Sequence, residues 1–185
     1  TTRFLHLKTV SPFQVSQMLK KAKSTRDKVI LKMLYYLGLR ASELCAIKME
    51  DFQKRADGIF LNVIGKGKKL RTIPIDQDLF LEIEMLADTN PTRGGYLFQR
   101  KLSSLPMDRK SLWFVIKKLA RAAKIEPLPH PHTFRHTCAT LAIEGGAPIH
   151  TVQHRLGHAS IATTQIYLHP SPEETLSKYI QKLEE

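Results

Sequence analysis

The chain has 185 residues, 42% of them hydrophobic, which is enough for one substantial core and too little to predict two independent domains. Its 29 Lys and Arg against 17 Asp and Glu leave a formal net charge of +12. That surplus favours a polyanionic partner, nucleic acid first and an anionic membrane surface second. No stretch approaches the roughly 18 uninterrupted apolar residues of a membrane-spanning helix, and the first residues lack a signal-peptide core, so we expect a soluble, intracellular domain.

Apolar periodicity predicts three helices in the first part of the chain. Ser11 is a candidate N-cap followed by a proline, so the first helix should run to about Lys23. The second begins at Arg26, keeps its apolar residues on one face, and should end at Gly38. A third, short helix fits Ala41 to Ile47.

A β-hairpin follows in the middle of the chain. Ile59 to Ile64 and Leu70 to Ile75 are predicted strands around the turn Gly65-Lys66-Gly67-Lys68. Two helices should come next, Leu79 to Leu86 and Leu112 to Ala123, the latter capped by Asp108.

The last third of the chain is predicted to be helical throughout. Four segments carry the pattern: His132 to Glu144, Ile149 to Leu156, Ile161 to Leu168 and Glu173 to Leu183. Glycine or proline follows each of the first three and should stop it. The expected fold is therefore mainly α with a small antiparallel β insertion.

Polar side chains occur at helix ends or turns in four separated segments, where they could converge on one ligand. The segments are 38–44 (GLRASEL), 65–67 (GKG), 132–136 (HTFRH) and 156–158 (LGH), with Tyr167 nine residues after His158. In this order they resemble the signature of the tyrosine recombinases of the phage integrase family. The resemblance covers roughly residues 10 to 170. It implies the tyrosine recombinase catalytic-domain fold and a metal-independent enzyme that cuts and rejoins DNA strands.

The resemblance assigns the phosphate-binding residues and the nucleophile. Arg40 and Arg135 would clamp the scissile phosphate, because planar guanidinium groups donate paired hydrogen bonds to phosphate and stay charged. The Tyr167 oxygen would attack phosphorus and leave a 3′-phosphotyrosyl link and a free 5′-hydroxyl. The aryl ester conserves the bond energy for rejoining, so no cofactor is implied.

The remaining roles concern proton transfer and support. By resemblance, Lys66 would protonate the departing 5′-oxygen, and His132 would assist proton transfer at the nucleophile. His158 would donate a hydrogen bond to a phosphate oxygen. Glu43 would orient the first arginine or a supporting histidine rather than take part in the chemistry.

A zinc site is the alternative interpretation of the histidines. His150 and His154 share one helical face, and His130, His132 and His136 cluster, but neither group has the cysteines or the HExxH pattern that zinc sites favour. We therefore predict no metal, and we expect His136 to be a packed or supporting histidine rather than a catalytic one. Cys45 and Cys138 lie in apolar helical patterns and should be buried, reduced thiols.

Other functions remain open from the residues alone. The stretch 149–167 also resembles a helix-turn-helix, which would make the chain a non-catalytic DNA-binding regulator without any covalent DNA adduct. A type IB topoisomerase shares the arginine, lysine and tyrosine chemistry but relaxes supercoils. A metal-dependent nuclease would lose its activity in chelator.

The resemblance also implies a domain plan and partners. Residues 1–10 would be the remnant of an interdomain linker and 11–185 the catalytic domain. Double-stranded DNA is the expected partner, and phosphate contacts are expected among Lys20, Lys21, Lys23, Lys68, Lys69, Arg71, Lys117, Lys118 and Arg121. The helix over 173–183 would fold back or dock on a neighbour, in a tetramer around two duplexes, while the chain alone could be a monomer. The expected location is the cytoplasm, at the nucleoid.

Overall fold

The computed structural model describes residues 9–65, 67, 69–89, 95–100, 103–157 and 175–184. Within these ranges the chain forms seven α-helices and one three-stranded antiparallel sheet. The helices are α1 (Pro12–Lys21), α2 (Thr25–Leu37), α3 (Ala41–Ala46), α4 (Gln77–Thr89), α5 (Arg109–Ala122), α6 (Pro131–Glu144) and α7 (Ile149–Leu156). The strands are β1 (Phe52–Arg55), β2 (Gly58–Ile64) and β3 (Leu70–Ile75), and 3₁₀ helices cover Met49–Asp51 and Leu176–Tyr179. The helix predicted over 161–168 lies outside the described residues.

The helix boundaries arise from the capping residues that the sequence indicates. The Ser11 hydroxyl accepts a hydrogen bond from the Gln14 amide at 3.2 Å, and the Asp108 carboxylate accepts one from the Ser111 amide at 2.7 Å. Gly38 ends α2 in the left-handed conformation, with φ of +57°. A Cβ at Gly38 would lie 2.5 Å from Leu156 Cδ2, so glycine serves both the turn and the packing of α7 against it.

The sheet has the order β1-β2-β3, and the predicted hairpin is its β2–β3 pair. Ile64 pairs with Leu70, and the Gly65 amide donates to the Lys69 carbonyl at 2.9 Å, which closes the turn. The sequence pattern does not predict β1. This strand has one apolar residue, Phe52, which is partly buried, and three exposed polar residues follow it. The strand therefore lacks the alternation that marks a half-buried strand.

Helix α2 occupies the centre of the core. It packs against α1, α3, α4 and α6, and Leu31, Leu34 and Tyr35 are fully buried. Each such side chain contributes about 1.5–3 kcal/mol of hydrophobic stabilisation, so the position of the α2 C-terminus is firmly fixed. Of the described helices, none combines the length and apolarity that crossing a membrane requires.

The C-terminal segment departs from the prediction of a helix over 173–183. Among its described residues, a single 3₁₀ turn, Leu176–Tyr179, is followed by chain without helical structure. Leu176 and Ile180 are buried in the chain's own core. Tyrosine hydroxyls satisfy backbone groups that a helix would pair internally: Tyr35 Oη donates to the Gln181 carbonyl at 3.1 Å, and the Leu183 amide donates to Tyr36 Oη at 3.0 Å. Packing on α2 and α6 therefore overrides the amphipathic pattern.

Candidate active site

Arg40 lies in the short connection between α2 and α3, where it is the N-cap residue of α3. Its amide donates to Glu43 Oε2 at 2.7 Å, and its Nη1 donates to Glu43 Oε1 at 2.8 Å. The Nη2 group donates to the Gly157 carbonyl at 3.0 Å. The side chain nevertheless remains 28% exposed, so Arg40 is fixed in position and still accessible to a ligand.

Arg135 projects from α6 and is 2% exposed. Its Nη1 donates to the Gly38 carbonyl at 2.7 Å, and its Nη2 donates to the Leu156 carbonyl. These carbonyls lie at the C-terminal ends of α2 and α7, where helical partners are missing and the helix dipole is negative. Burial, followed by the charge of Arg40, lowers the pKa of Arg135 to about 10, which leaves the group charged at neutral pH.

The two arginines meet at one point of the fold. They bind the carbonyls of consecutive residues, Leu156 and Gly157, at the end of α7. Two guanidinium groups this close repel each other, and an anion bound beside them would relieve that repulsion. The end of α7 is therefore suited to a phosphate group.

Glu43 is the counter-charge of this cluster, and it is almost fully buried. Burial alone would raise its pKa, but hydrogen bonds and charge from Arg71 and Arg40 outweigh it and lower the pKa to about 2. Arg71 binds Glu43 in a bidentate ion pair, in which Nη1 donates to Oε1 and Nη2 donates to Oε2, both at 2.8 Å. Glu43 therefore contacts Arg40 and Arg71 at the same time.

Arg71 does not belong with the basic side chains that could contact a duplex. It is 9% exposed, and its Nε donates to the Arg155 carbonyl at 2.9 Å. The sequence indicates that Arg71 is buried, because alternation along β3 places it on the same face as the buried Ile73 and Ile75. Arg155 is likewise buried on the face of α7 that carries Val152.

His132 lies in the first turn of α6, one helical turn before Arg135. Its ring meets the ring of His136 edge to face at a centroid distance of 4.5 Å, which agrees with a packing role for His136. Partial burial, then the charges of His136, Arg135 and Arg40, lowers the pKa of His132. A lowered pKa favours the neutral ring, which is able to accept a proton.

No group of three or more metal-binding side chains occurs within the part of the chain that the structure describes. The expectation of two buried thiols is confirmed, since Cys45 and Cys138 are both free and buried. Burial raises the pKa of Cys45 to about 11 and that of Cys138 to about 12. Neither thiol is poised for chemistry.

Three predicted site residues, Lys66, His158 and Tyr167, lie outside the described residues. Two of their chain neighbours are described and border the cluster. A Cβ at Gly65 would lie 3.1 Å from Arg71 Nη1, and Gly157 accepts the hydrogen bond from Arg40. The turn of the β2–β3 hairpin and the end of α7 thus both reach the arginines.

Comparison with known proteins agrees with this architecture. Residues 8–174 match the sequence profile of the Phage integrase family, and the chain belongs to that family. The family expected from the motifs is thereby confirmed, as is a mainly helical fold with a small antiparallel sheet.

One similar protein is tyrosine recombinase XerA of Pyrococcus horikoshii, which is 39% identical over 165 residues, or 86% of this chain and 56% of that protein. The crystal structure of a XerA recombinase superposes with a TM-score of 0.73 at 30% identity, covering 89% of this chain and 61% of that one. A XerH site-specific recombinase bound to its palindromic difH substrate shares the fold, with a TM-score of 0.69 at 22% identity over 83% of this chain and 47% of that one. The chain spans about half the length of the curated relatives that it matches.

Proposed function

We propose that residues 11–185 form the catalytic domain of a site-specific tyrosine recombinase, which cuts and rejoins DNA through a phosphotyrosine intermediate on Tyr167. The observation that carries the proposal is the meeting of Arg40 and Arg135 at the end of α7, one residue before His158. Membership of the Phage integrase family and similarity to tyrosine recombinases support it.

The arginines supply the electrostatic part of the mechanism. Attack on a phosphodiester builds negative charge on the non-bridging oxygens, and preorganised donors that already point at this charge lower the barrier. Arg40 and Arg135 are held by backbone carbonyls and Glu43, so little reorganisation is needed when the phosphate arrives. His158 would add a hydrogen bond to a phosphate oxygen.

Strand cleavage replaces one phosphorus–oxygen bond by another and moves two protons. The bond from Tyr167 Oη to phosphorus forms as the bond from phosphorus to the 5′-oxygen breaks. A phenol has a pKa of about 10, so a proton acceptor is needed, and the lowered pKa of His132 suits it to assist that transfer. The 5′-oxygen takes a proton from Lys66, and the free 5′-hydroxyl later attacks the phosphotyrosine in the reverse sense.

The role of Lys66 provides a test of this chemistry. Lys66→Ala should slow cleavage of ordinary DNA strongly, since the leaving alkoxide loses its proton donor. A bridging 5′-phosphorothiolate leaves as a thiolate that needs no proton, so this substrate should restore cleavage by the variant. The measurement is the single-turnover rate on each substrate, and absence of rescue would remove Lys66 from the role of general acid.

The proposed partner is double-stranded DNA. The formal charge of +12 supports this partner, and several lysines near the ends of α1 and α5 are exposed, among them Lys20, Lys21, Lys23 and Lys118. Such side chains suit contacts with phosphates, which set the register of the duplex without reading its sequence. The proposed location is the nucleoid in the cytoplasm.

We also propose that four copies assemble around two duplexes through the C-terminal segment. In the described chain this segment packs on α2 and α6, with Leu176 and Ile180 buried. A neighbouring copy offers the same surface of α2 and α6, so the segment could exchange between copies with little change in free energy. Mass measured by light scattering should give a monomer without DNA and four copies on synaptic duplexes, and Ile180→Glu should prevent the second state.

A further inference from the structure

We propose that Arg71 is a positioning residue for DNA cleavage, which holds Arg40 in place for the scissile phosphate by sharing the carboxylate of Glu43. This inference rests on the proposed function. It concerns a residue that touches neither the phosphate nor the reacting oxygens.

Arg71 directs its guanidinium group into the protein. Two of its nitrogens donate to the two oxygens of Glu43, and the third donates to the Arg155 carbonyl in the last turn of α7. With all three nitrogens engaged and the side chain buried, Arg71 is unsuited to bind a phosphate itself. Its contacts instead join β3 to α3 and α7.

Each oxygen of Glu43 is shared between Arg71 and Arg40. Oε1 accepts from Arg71 Nη1 and Arg40 Nη1, both at 2.8 Å, while Oε2 accepts from Arg71 Nη2 and the Arg40 amide. Without Arg71, a buried carboxylate would have Arg40 as its one remaining cationic partner in this set. That carboxylate would then draw the Arg40 guanidinium inward and compete with the phosphate for it.

A second contact links Arg71 to the other partner of Arg40. A Cβ at Gly157 would lie 3.2 Å from Arg71 Cδ, and the same Gly157 accepts the hydrogen bond from Arg40 Nη2. Arg71 thus binds the carboxylate that holds Arg40 and packs beside Gly157, the residue whose carbonyl Arg40 binds. Its side chain determines where these two groups stand relative to each other.

Arg71→Lys isolates the geometry from the charge. Lysine keeps the positive charge but presents one nitrogen, which cannot bridge both oxygens of Glu43 and reach the Arg155 carbonyl as well. A matched control is Arg26→Lys, a charge-conserving change at the opposite end of α2, where Arg26 pairs with Asp27 at 3.0 Å.

The experiment measures the single-turnover rate of covalent adduct formation on a nicked suicide duplex, together with the Kd for that duplex. Arg71→Lys should slow adduct formation about tenfold or more and leave Kd within about twofold, as expected for a group that supports an active-site residue. Arg26→Lys should match wild type in both quantities. Rates are compared at a temperature at which circular dichroism shows every variant folded.

A modified phosphate separates positioning from a general structural defect. A methylphosphonate at the scissile position lacks the charge that Arg40 would neutralise, so the rate ratio of wild type to Arg71→Lys should fall towards one. A bridging 5′-phosphorothiolate changes only the leaving group, so there the ratio should persist. A merely structural defect would give the same ratio on all three substrates and would overturn the inference.

A double-mutant cycle tests the route through Glu43. If Arg71 acts through that carboxylate, Arg71→Lys should slow cleavage little further in a Glu43→Gln background. Additive effects would contradict the proposal, as would a wild-type rate for Arg71→Lys. If wild type itself forms no adduct, the proposed function fails and the inference with it; adducts formed equally by wild type and Arg71→Lys would overturn the inference alone.

Discussion

Glu43 carries one negative charge beside two arginines, and much of the site depends on that single carboxylate. It is buried, yet it stays ionised because four hydrogen bonds from Arg40 and Arg71 reach its two oxygens. A buried charge without such partners would cost several kcal/mol. The carboxylate therefore stabilises the fold and fixes Arg40 at once.

The lowered pKa of Glu43 predicts how stability depends on pH. A carboxyl group whose pKa is 4.5 when unfolded and about 2 when folded stabilises the native state by about 3 kcal/mol above pH 4.5. That contribution is lost as pH falls from 4.5 towards 2. Urea unfolding at several pH values should show this loss in wild type, whereas Glu43→Gln should be less stable at pH 7 and lose less on acidification. An equal loss in both proteins would contradict the assignment.

His132 predicts a pH dependence of activity. Because partial burial and the charges of His136, Arg135 and Arg40 lower its pKa, the acid limb of the cleavage rate should lie below the ordinary histidine value of 6.5. His132→Asn should slow cleavage and remove that limb. The control His150→Asn, at an exposed position on α7, should keep the wild-type profile. A limb that survives in His132→Asn would assign it to another group.

At the scale of the elements, the α2–α3 corner depends on Gly38. Gly38→Ala would place a methyl group 2.5 Å from Leu156 Cδ2 at a positive φ, and we expect a loss of about 2–4 kcal/mol in the free energy of unfolding. Gly146→Ala is the matched control. It also has a positive φ, but nothing lies within 4 Å of its Cβ position, so the loss should be about 1 kcal/mol. Equal losses in chemical denaturation would show that the contact with α7 is unimportant.

The elements show which parts of the fold local sequence can predict. Helix caps such as Ser11 and Asp108 and the β2–β3 turn are decided by neighbouring residues, and there the structure agrees with the prediction. The C-terminal segment is decided by distant partners, the hydroxyls of Tyr35 and Tyr36, which no local pattern reveals.

The candidate site likewise has residues that local sequence predicts and residues that it does not. The resemblance to the tyrosine recombinases singles out Arg40, Arg135 and Glu43, and the structure brings these three together. Arg71 was missed as a partner of Glu43 because basic residues in a strongly basic chain are expected on the surface. The alternation of β3 indicates otherwise, because it places Arg71 on the buried face of the strand.

At the scale of the whole molecule, the candidate site is assembled at one helix end. Arg40 comes from the α2–α3 connection, Arg135 from α6 and Arg71 from β3, and each reaches a carbonyl in the last turn of α7 or just after it. Cleavage should therefore depend on the packing of α7 as much as on any one arginine. Sites built on helix ends and strands hold their geometry better than sites on loops.

The measurement that tests the central claim most directly is an SDS-gel assay for covalent protein–DNA adducts, run in chelator with nicked suicide duplexes that the protein binds. Tyr167→Phe deletes one oxygen and should bind DNA as wild type does while forming no adduct. Tyr96→Phe, which deletes the hydroxyl of a tyrosine beside Lys48, should form the adduct like wild type. An adduct with wild type and Tyr96→Phe alone is the predicted result. An adduct with Tyr167→Phe, or none with wild type on DNA that it binds, would contradict the account.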